Sequence, residues 1–225
     1  MTGISICGFQ WIGTALTAFA FALFVTMTIF VLGRLKRMSA HTLVLIGIVM
    51  NFFFSALQQY LQYSASAEIA QIISNWTFGN LSRASWTSAG VGLIATALGM
   101  LFFAGISWKL TAFSAGEERA KSLGIQVERL KMAVFLASSL LITAAVGFIG
   151  TVGFVGLVAP HCARLLVGED QRYLMPTTTM FGMVVMLAAS TVSKLLSEGS
   201  MLPVGIITSI VGVPFLFVLL MREVK

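Results

Sequence analysis

Few side chains in this sequence could do chemistry, and they are poorly matched for catalysis. His161 and Cys162 are adjacent, and the only other histidine is His41. Neighbouring side chains on a helix point about 100° apart, which is a poor geometry for sharing one metal ion. No Asp/Glu/His cluster accompanies them. The two cysteines, Cys7 and Cys162, show neither zinc spacing nor a disulfide framework. There is no Walker A motif, so the chain is not expected to bind ATP itself. His161 and Cys162 are therefore expected to serve packing. No catalytic residue, metal site or resident cofactor is expected.

A different chemistry is offered by uncharged polar residues. Asn51, Ser55, Gln58, Gln59 and Gln62 recur at i, i+4, i+7, i+8 and i+11, which is one face of an α-helix. The surrounding sequence is apolar enough to cross a membrane. Amides facing lipid would be costly there, so this face should meet protein or water. It can hydrogen-bond between helices, or it can wall a translocation pathway. A wall of amides and hydroxyls lets a bulky hydrophilic solute slide without tight binding, and it offers no carboxylate relay for protons.

A second constellation lies between Ser114 and Lys131. Ser114 and Glu117 have the S-x-x-E spacing of a capping box, which predicts a helix start. Gly124 is placed to end that helix with a left-handed cap, and a second short helix can follow from Gln126. Such a loop can rest on lipid headgroups as an amphipathic pair, or it can dock a cytoplasmic partner.

The elements that must position these groups are membrane spans. The chain is 58% hydrophobic and only 10% charged, against roughly 25% charged in soluble domains. Uncharged stretches of about 20 residues recur, long enough to cross as helices. The fold class is therefore an all-α polytopic transmembrane bundle, and a single domain is expected over 1–225. Candidate spans are 11–33, 43–63, 86–108, 132–163, 173–193 and 202–221. The net charge of +6 sits in short loops, which points to membrane orientation and away from nucleic acid.

The fourth span carries no charge over 32 residues. As one helix it would be about 48 Å long, well beyond the roughly 30 Å hydrocarbon core. It is a single tilted helix, or a span followed by a short return helix. With the return helix, twelve of the fourteen Lys and Arg fall on one side, leaving Arg83 and Lys194 on the other. With a single helix the split is nine to five. The positive-inside rule favours the first. The sequence thus predicts seven spans, with the N-terminus outside and the C-terminus cytoplasmic. The bend is expected near Gly147, Gly150, Gly153 and Gly156, with Pro160 just beyond. The longest outer loop, 64–85, should hold a short interfacial helix carrying Ile69, Ile72 and Ile73, with Trp76 and Trp86 at the bilayer boundary. Met1 is followed by no basic region, so no cleavable signal peptide is expected.

The run Gly153-Phe154-Val155-Gly156-Leu157-Val158-Ala159-Pro160-His161-Cys162-Ala163-Arg164 resembles a signature of FecCD-like permeases. These are the membrane subunits of bacterial ATP-driven importers for iron chelates, haem and cobalamin. The likeness continues through Gly168-Glu169-Asp170-Gln171-Arg172 to Pro176, and to Leu202-Pro203-Val204-Gly205 and Gly212-Val213-Pro214-Phe215.

The resemblance implies a permease subunit in the bacterial cytoplasmic membrane, carrying an iron(III) chelate such as a siderophore by alternating access. It implies a second permease subunit, an external solute-binding protein, and two cytoplasmic ATPases that bind and hydrolyse the ATP. Residues 114–131 then correspond to the loop that presses into the ATPase, with Glu117, Glu118, Arg119, Lys121, Leu123 and Gly124 as its coupling residues. Ser39, His41 and Thr42 are assigned to the cytoplasmic gate region. Lys194, close to Glu198, stands where the family often has Arg and is assigned to binding-protein docking; otherwise it is a headgroup anchor.

Three departures accompany the likeness. Ser190 stands where the family often has Asp, and Thr151 where it often has Pro. Full members have about ten spans, and this chain matches the last seven, so the first three are expected to be missing. A split or non-functional permease fragment is then one alternative. Another is an ion-coupled secondary transporter, although no span carries a central ionisable residue.

Overall fold

The computed structural model describes residues 10–35, 40–81, 84–197 and 202–223, and these form nine helices and no strand. They are α1 (Gln10–Leu35), α2 (Ala40–Ser64), α3 (Ala67–Thr77), α4 (Trp86–Ser114), α5 (Glu117–Ser122), α6 (Val127–Ile149), α7 (Val155–Val167), α8 (Gln171–Leu196) and α9 (Val204–Glu223). The expected all-α bundle is what forms. His41–Ser64, Trp86–Ser114, Val127–Ile149 and Gln171–Leu196 are long and apolar enough to cross a bilayer. Shorter apolar helical stretches occupy Phe19–Gly33, Val155–Val167 and Val204–Leu219.

The uncharged 132–163 segment is broken. Helix α6 stops at Ile149 and α7 begins at Val155. Positive φ at Gly150 (79°) and at Phe154 (66°) brackets the gap. Both turn the chain where a continuous helix would have overrun the hydrocarbon. A short helix does form within 64–85, as α3, and it carries Ile69, Ile72 and Ile73.

The chain divides into two compact units. The first comprises residues 1–74 and 128–147. In it α1 packs on α2, and the hydroxyls of Thr26 and Ser139 hydrogen-bond to each other. Thr143 donates back to the Ser139 carbonyl at 2.8 Å.

The second unit comprises residues 75–127 and 148–225. Helix α7 packs on α8 and α9, and α8 also packs on α4. Ala159 and Ala163, four residues apart on α7, are both buried. This small-x-x-x-small spacing lets helix backbones approach closely. Ala189, Val204 and Ile207 form a buried cluster, with Leu81 and Met186 against it. Ser85 caps α4 reciprocally: its side chain accepts from Ser88 N–H at 3.2 Å, while Ser88 Oγ accepts from Ser85 N–H at 2.8 Å.

One end of the second unit is closed mostly by backbone. Asn80 N–H donates to Ile149 O at 2.8 Å, and Thr151 N–H to Trp76 O at 3.4 Å. Val204 N–H donates to Gly79 O and Gly205 N–H to Phe78 O, each at 3.1 Å. The Thr151 hydroxyl donates to Thr77 O. Three segments distant in sequence thus cross at van der Waals distance. A β-carbon on Gly150 would fall on the Trp76 carbonyl, and one on Gly205 on the Phe78 carbonyl.

From this crossing the chain descends without helix to Phe154. The Phe154 side chain lies where a β-carbon on Gly212 would sit, and Val155 lies opposite Gly182. Gly212 is two turns into α9 and Gly182 three turns into α8. Non-helical backbone at such depth is tolerated only where protein or a water-filled cavity covers it.

Candidate functional site

The loop after α4 is built differently from the capping-box expectation. Helix α4 continues through Ser114, whose hydroxyl donates back to Thr111 O at 2.8 Å. The N-cap of α5 is Gly116, at φ 124°, with no side-chain cap. The Ser114–Glu117 box therefore does not form, because Ser114 is still inside a longer α4. At the other end the Gly124 cap matches expectation, while no separate short helix follows, because α6 runs unbroken from Val127 to Ile149. Gly124 takes φ 77°. Its N–H reaches Lys121 O at 2.9 Å, while Ile125 N–H reaches Ala120 O at 3.1 Å. That pair of bonds is the Schellman motif. Within α5, Glu117 and Lys121 pair at 3.2 Å, and Ala120 is fully buried. Glu118, Arg119 and Leu123 are exposed. The loop is thus a short, stiff, charged helix with a defined stop.

The base of this loop is fastened to α8. Asp170 caps α8 by accepting from Arg172 N–H at 3.1 Å. It also holds the Arg172 guanidinium, with Nη2 at 2.7 Å and Nε at 3.1 and 3.2 Å. Hydrogen bonding from Arg172 holds the Asp170 carboxyl below its ordinary range. Thr111, on the last turn of α4, accepts from Gln171 N–H at 3.1 Å. Its hydroxyl also lies 3.4 Å from Asp170 Oδ1 and 3.1 Å from Ser107 O. Neither Thr111 nor Asp170 stood out in the sequence as a site. The Asp-x-Arg spacing was visible, but its partner on α4 is 59 residues away.

The polar stripe lies along α2. Asn51 and Gln59 are exposed, while Ser55, Gln58 and Gln62 are half-buried. Gln62 Nε2 donates to Ala70 O of α3 at 3.5 Å, so one member of the stripe ties α2 to the next helix. Phe53 and Leu57 are exposed on other faces. At the start of α2, His41 is exposed and Thr42 half-buried. Ser39 lies outside the described residues.

Lys194 is exposed on the last turn of α8. It lines a cleft of about 280 Å³ with Asn80, Leu81, Ser190, Ser193, Leu202 and Val204. Glu198 lies outside the described residues. The α8–α9 turn is held by Ser193 Oγ donating to Leu202 O and by Leu202 N–H donating to Ser197 Oγ at 2.9 Å. Of the residues at the expected bend, Gly150 carries positive φ, and the Gly153 carbonyl accepts from Val155 N–H at 2.8 Å. Gly156 and Pro160 lie inside α7. Phe154 was not singled out by the glycine spacing. The His161 ring packs edge-on against Phe215 of α9, with centroids 5.8 Å apart. Cys162 is half-buried.

Comparison with known proteins adds to this geometry. The model of the FecCD transport family matches residues 1–222. A protein of Methanocaldococcus jannaschii named as an ABC transporter permease is 37% identical over 212 residues, 93% of this chain and 61% of that protein. The iron(3+)-hydroxamate import system permease protein FhuB of Bacillus subtilis is 33% identical over 218 residues, 96% of this chain and 56% of that protein. A solved structure of a metal-chelate type ABC transporter in an inward-facing conformation superposes with a TM-score of 0.83 at 30% identity. That match covers 98% of this chain and 69% of the solved one. The chain thus spans about three fifths of the length of the curated relatives it matches.

Proposed function

Because the chain belongs to the FecCD transport family and is a multi-pass membrane protein, we propose that it is the permease part of an ATP-binding-cassette importer for an iron(III) chelate, of the siderophore class. The observation that carries this is the superposition on a metal-chelate type transporter over nearly the whole chain. The likeness to a hydroxamate permease and the uncharged amide face of α2 support the choice of cargo. In this reading 1–225 acts as one transmembrane permease domain in the bacterial inner membrane, with a cytoplasmic C-terminus. Asn51, Ser55, Gln58, Gln59 and Gln62 face the pathway, and Ser39, His41 and Thr42 stand near its cytoplasmic gate. Residues 150–160 form the bend beside it.

The partners are a second permease subunit, two ATPases and an external binding protein. The ATPases bind and hydrolyse ATP; this chain converts their closure into alternating access, a rigid-body switch between two states. The α5 loop is the contact through which that closure acts. A short helix held by the Gly124 cap can transmit force, whereas a floppy connector would absorb it. Glu118→Arg reverses a charge on the exposed face of α5. Gly124→Pro removes the N–H that closes the cap and forbids positive φ. Both variants should reach the membrane at normal levels, bind the ATPase less well, and lose most transport-linked ATP hydrolysis. Full binding and stimulation by both would remove the coupling assignment.

A further inference from the structure

We propose that Thr111 is a positioning residue that passes displacement of the α5 loop to the N-terminus of α8. The inference rests on reading residues 114–131 as the ATPase contact.

The first backbone donors of a helix have no partner within it. In α8 the N–H of Arg172 is satisfied by the Asp170 cap. The N–H of Gln171 is satisfied from another helix, by the Thr111 hydroxyl at 3.1 Å. That hydroxyl carries one proton. It can donate to Ser107 O in its own helix at 3.1 Å, or toward Asp170 Oδ1 at 3.4 Å. In either orientation a lone pair remains for Gln171. The last turn of α4 is thereby fastened to the first backbone donor of α8, and rotation of one hydroxyl adds or removes the second link.

The mechanical path to this fastening is short. Only Ala115 and Gly116 separate α4 from α5, and Gly116 N–H is itself bonded to Phe113 O at 3.0 Å. The α5 helix is stiffened by the Glu117–Lys121 pair and the Gly124 cap. A push on α5 therefore arrives at the turn bearing Thr111. That turn either carries α8 with it or strips Gln171 N–H of its partner. Beyond the Asp170 cap, α8 runs unbroken from Gln171 to Leu196 and ends at Lys194 and the cleft. Thr111 joins the loop to a single helix, with Pro176 in its second turn, that reaches the opposite end of the unit.

Thr111→Val keeps the branched shape and removes both links. Thr111→Ser keeps the hydroxyl. Thr111→Ala supplies a strong helix former and repeats the test should the valine variant not reach the membrane. Each variant is assembled in liposomes with its ATPase and binding protein. ATPase affinity, ATP turnover and uptake of radio-labelled iron(III) trihydroxamate are then measured. We expect Thr111→Val and Thr111→Ala to keep ATPase affinity and turnover within about twofold of wild type, yet to move at least fivefold less iron per ATP. Thr111→Ser should restore the ratio to within twofold. An unchanged ratio in the valine variant, or a serine variant as poor as valine, overturns the role of Thr111 alone. A wild-type chain that neither binds nor stimulates the ATPase overturns the reading of residues 114–131, and this inference with it.

Discussion

Gly205 and Gly147 are both helical glycines, yet they should respond oppositely to the same added methyl group. At Gly205 a β-carbon meets the Phe78 carbonyl, which is fixed by its own hydrogen bond to Gly205 N–H. Backbone cannot move aside as a side chain can, so Gly205→Ala should destabilise by about 1–3 kcal/mol. At Gly147 nothing lies within 4 Å, and alanine is the better helix former by about 1 kcal/mol. Thermal unfolding of purified protein in detergent should show a lower Tm for Gly205→Ala and an equal or higher one for Gly147→Ala. Equal Tm values for the two would contradict the close crossing. Asp170 makes a second residue-scale prediction. Its carboxyl is held below the ordinary 3.8, chiefly by hydrogen bonding from Arg172. A depressed carboxyl contributes stability above the unfolded value, and that contribution is lost as pH falls through the lowered one. The slope of Tm against pH below about 3.8 should therefore be shallower in Asp170→Asn. An identical acid slope would show that the charge on Asp170, and its pairing with Arg172, adds nothing to stability.

At the scale of elements, some features were legible and others were not. The break between α6 and α7 was readable because two independent quantities agreed: 32 uncharged residues are too many for one crossing, and the split of basic residues demanded an extra turn. The Gly124 stop was readable because a left-handed cap is a local need that glycine meets. The start of α5 was misread for a matching reason. Ser-x-x-Glu is a local signal, but packing of α4 against α8 extends α4 past it. The crossing of Trp76–Asn80, Ile149–Thr151 and Val204–Gly205 left no side-chain pattern, since its bonds are mostly backbone to backbone. Helix α2 was legible as an element, but not the bond by which Gln62 on its amide face reaches Ala70 O of α3, since sequence spacing shows a face and not its neighbour. That face is testable directly. In a cysteine-free background, Ser55→Cys, Gln58→Cys and Gln62→Cys should react with a membrane-impermeant thiol reagent in at least one transport state. Phe53→Cys and Leu57→Cys should react several-fold more slowly. Equal protection of all five would leave the stripe a set of interhelical hydrogen bonds.

For the whole molecule, the sequence indicated which ends of the helices are basic, and the second unit agrees. The α4–α5 turn and the α7–α8 turn lie together, with Lys109, Arg119, Lys121 and Arg172 on or beside them. Lys194 sits at the far end of α8. If that end faces an external binding protein, its amine is a natural partner for an acidic side chain, and the cleft beside it gives such a group a place to enter. An exposed ion pair is worth only about 0.2–1 kcal/mol, and lysine lacks the bidentate fork of arginine. Lys194→Ala should therefore weaken binding-protein affinity by a few-fold at most. Lys194→Glu should weaken it more, and the loss should shrink in high salt. Affinity unchanged across both variants and both salt conditions would leave Lys194 a headgroup anchor.

The backbone crossing also bears on how the protein is made. Its three segments are separated by roughly seventy and fifty residues. A nascent chain threaded into the bilayer from its N-terminus has α3, and later the end of α6, in place while the carbonyls of Phe78 and Gly79 still lack their donors. Those donors, Gly205 and Val204, arrive with the last helix. Completion of the crossing therefore waits on synthesis of α9. A chain ended before residue 204 would leave the Phe78 and Gly79 carbonyls without these two donors, and the end of the unit open.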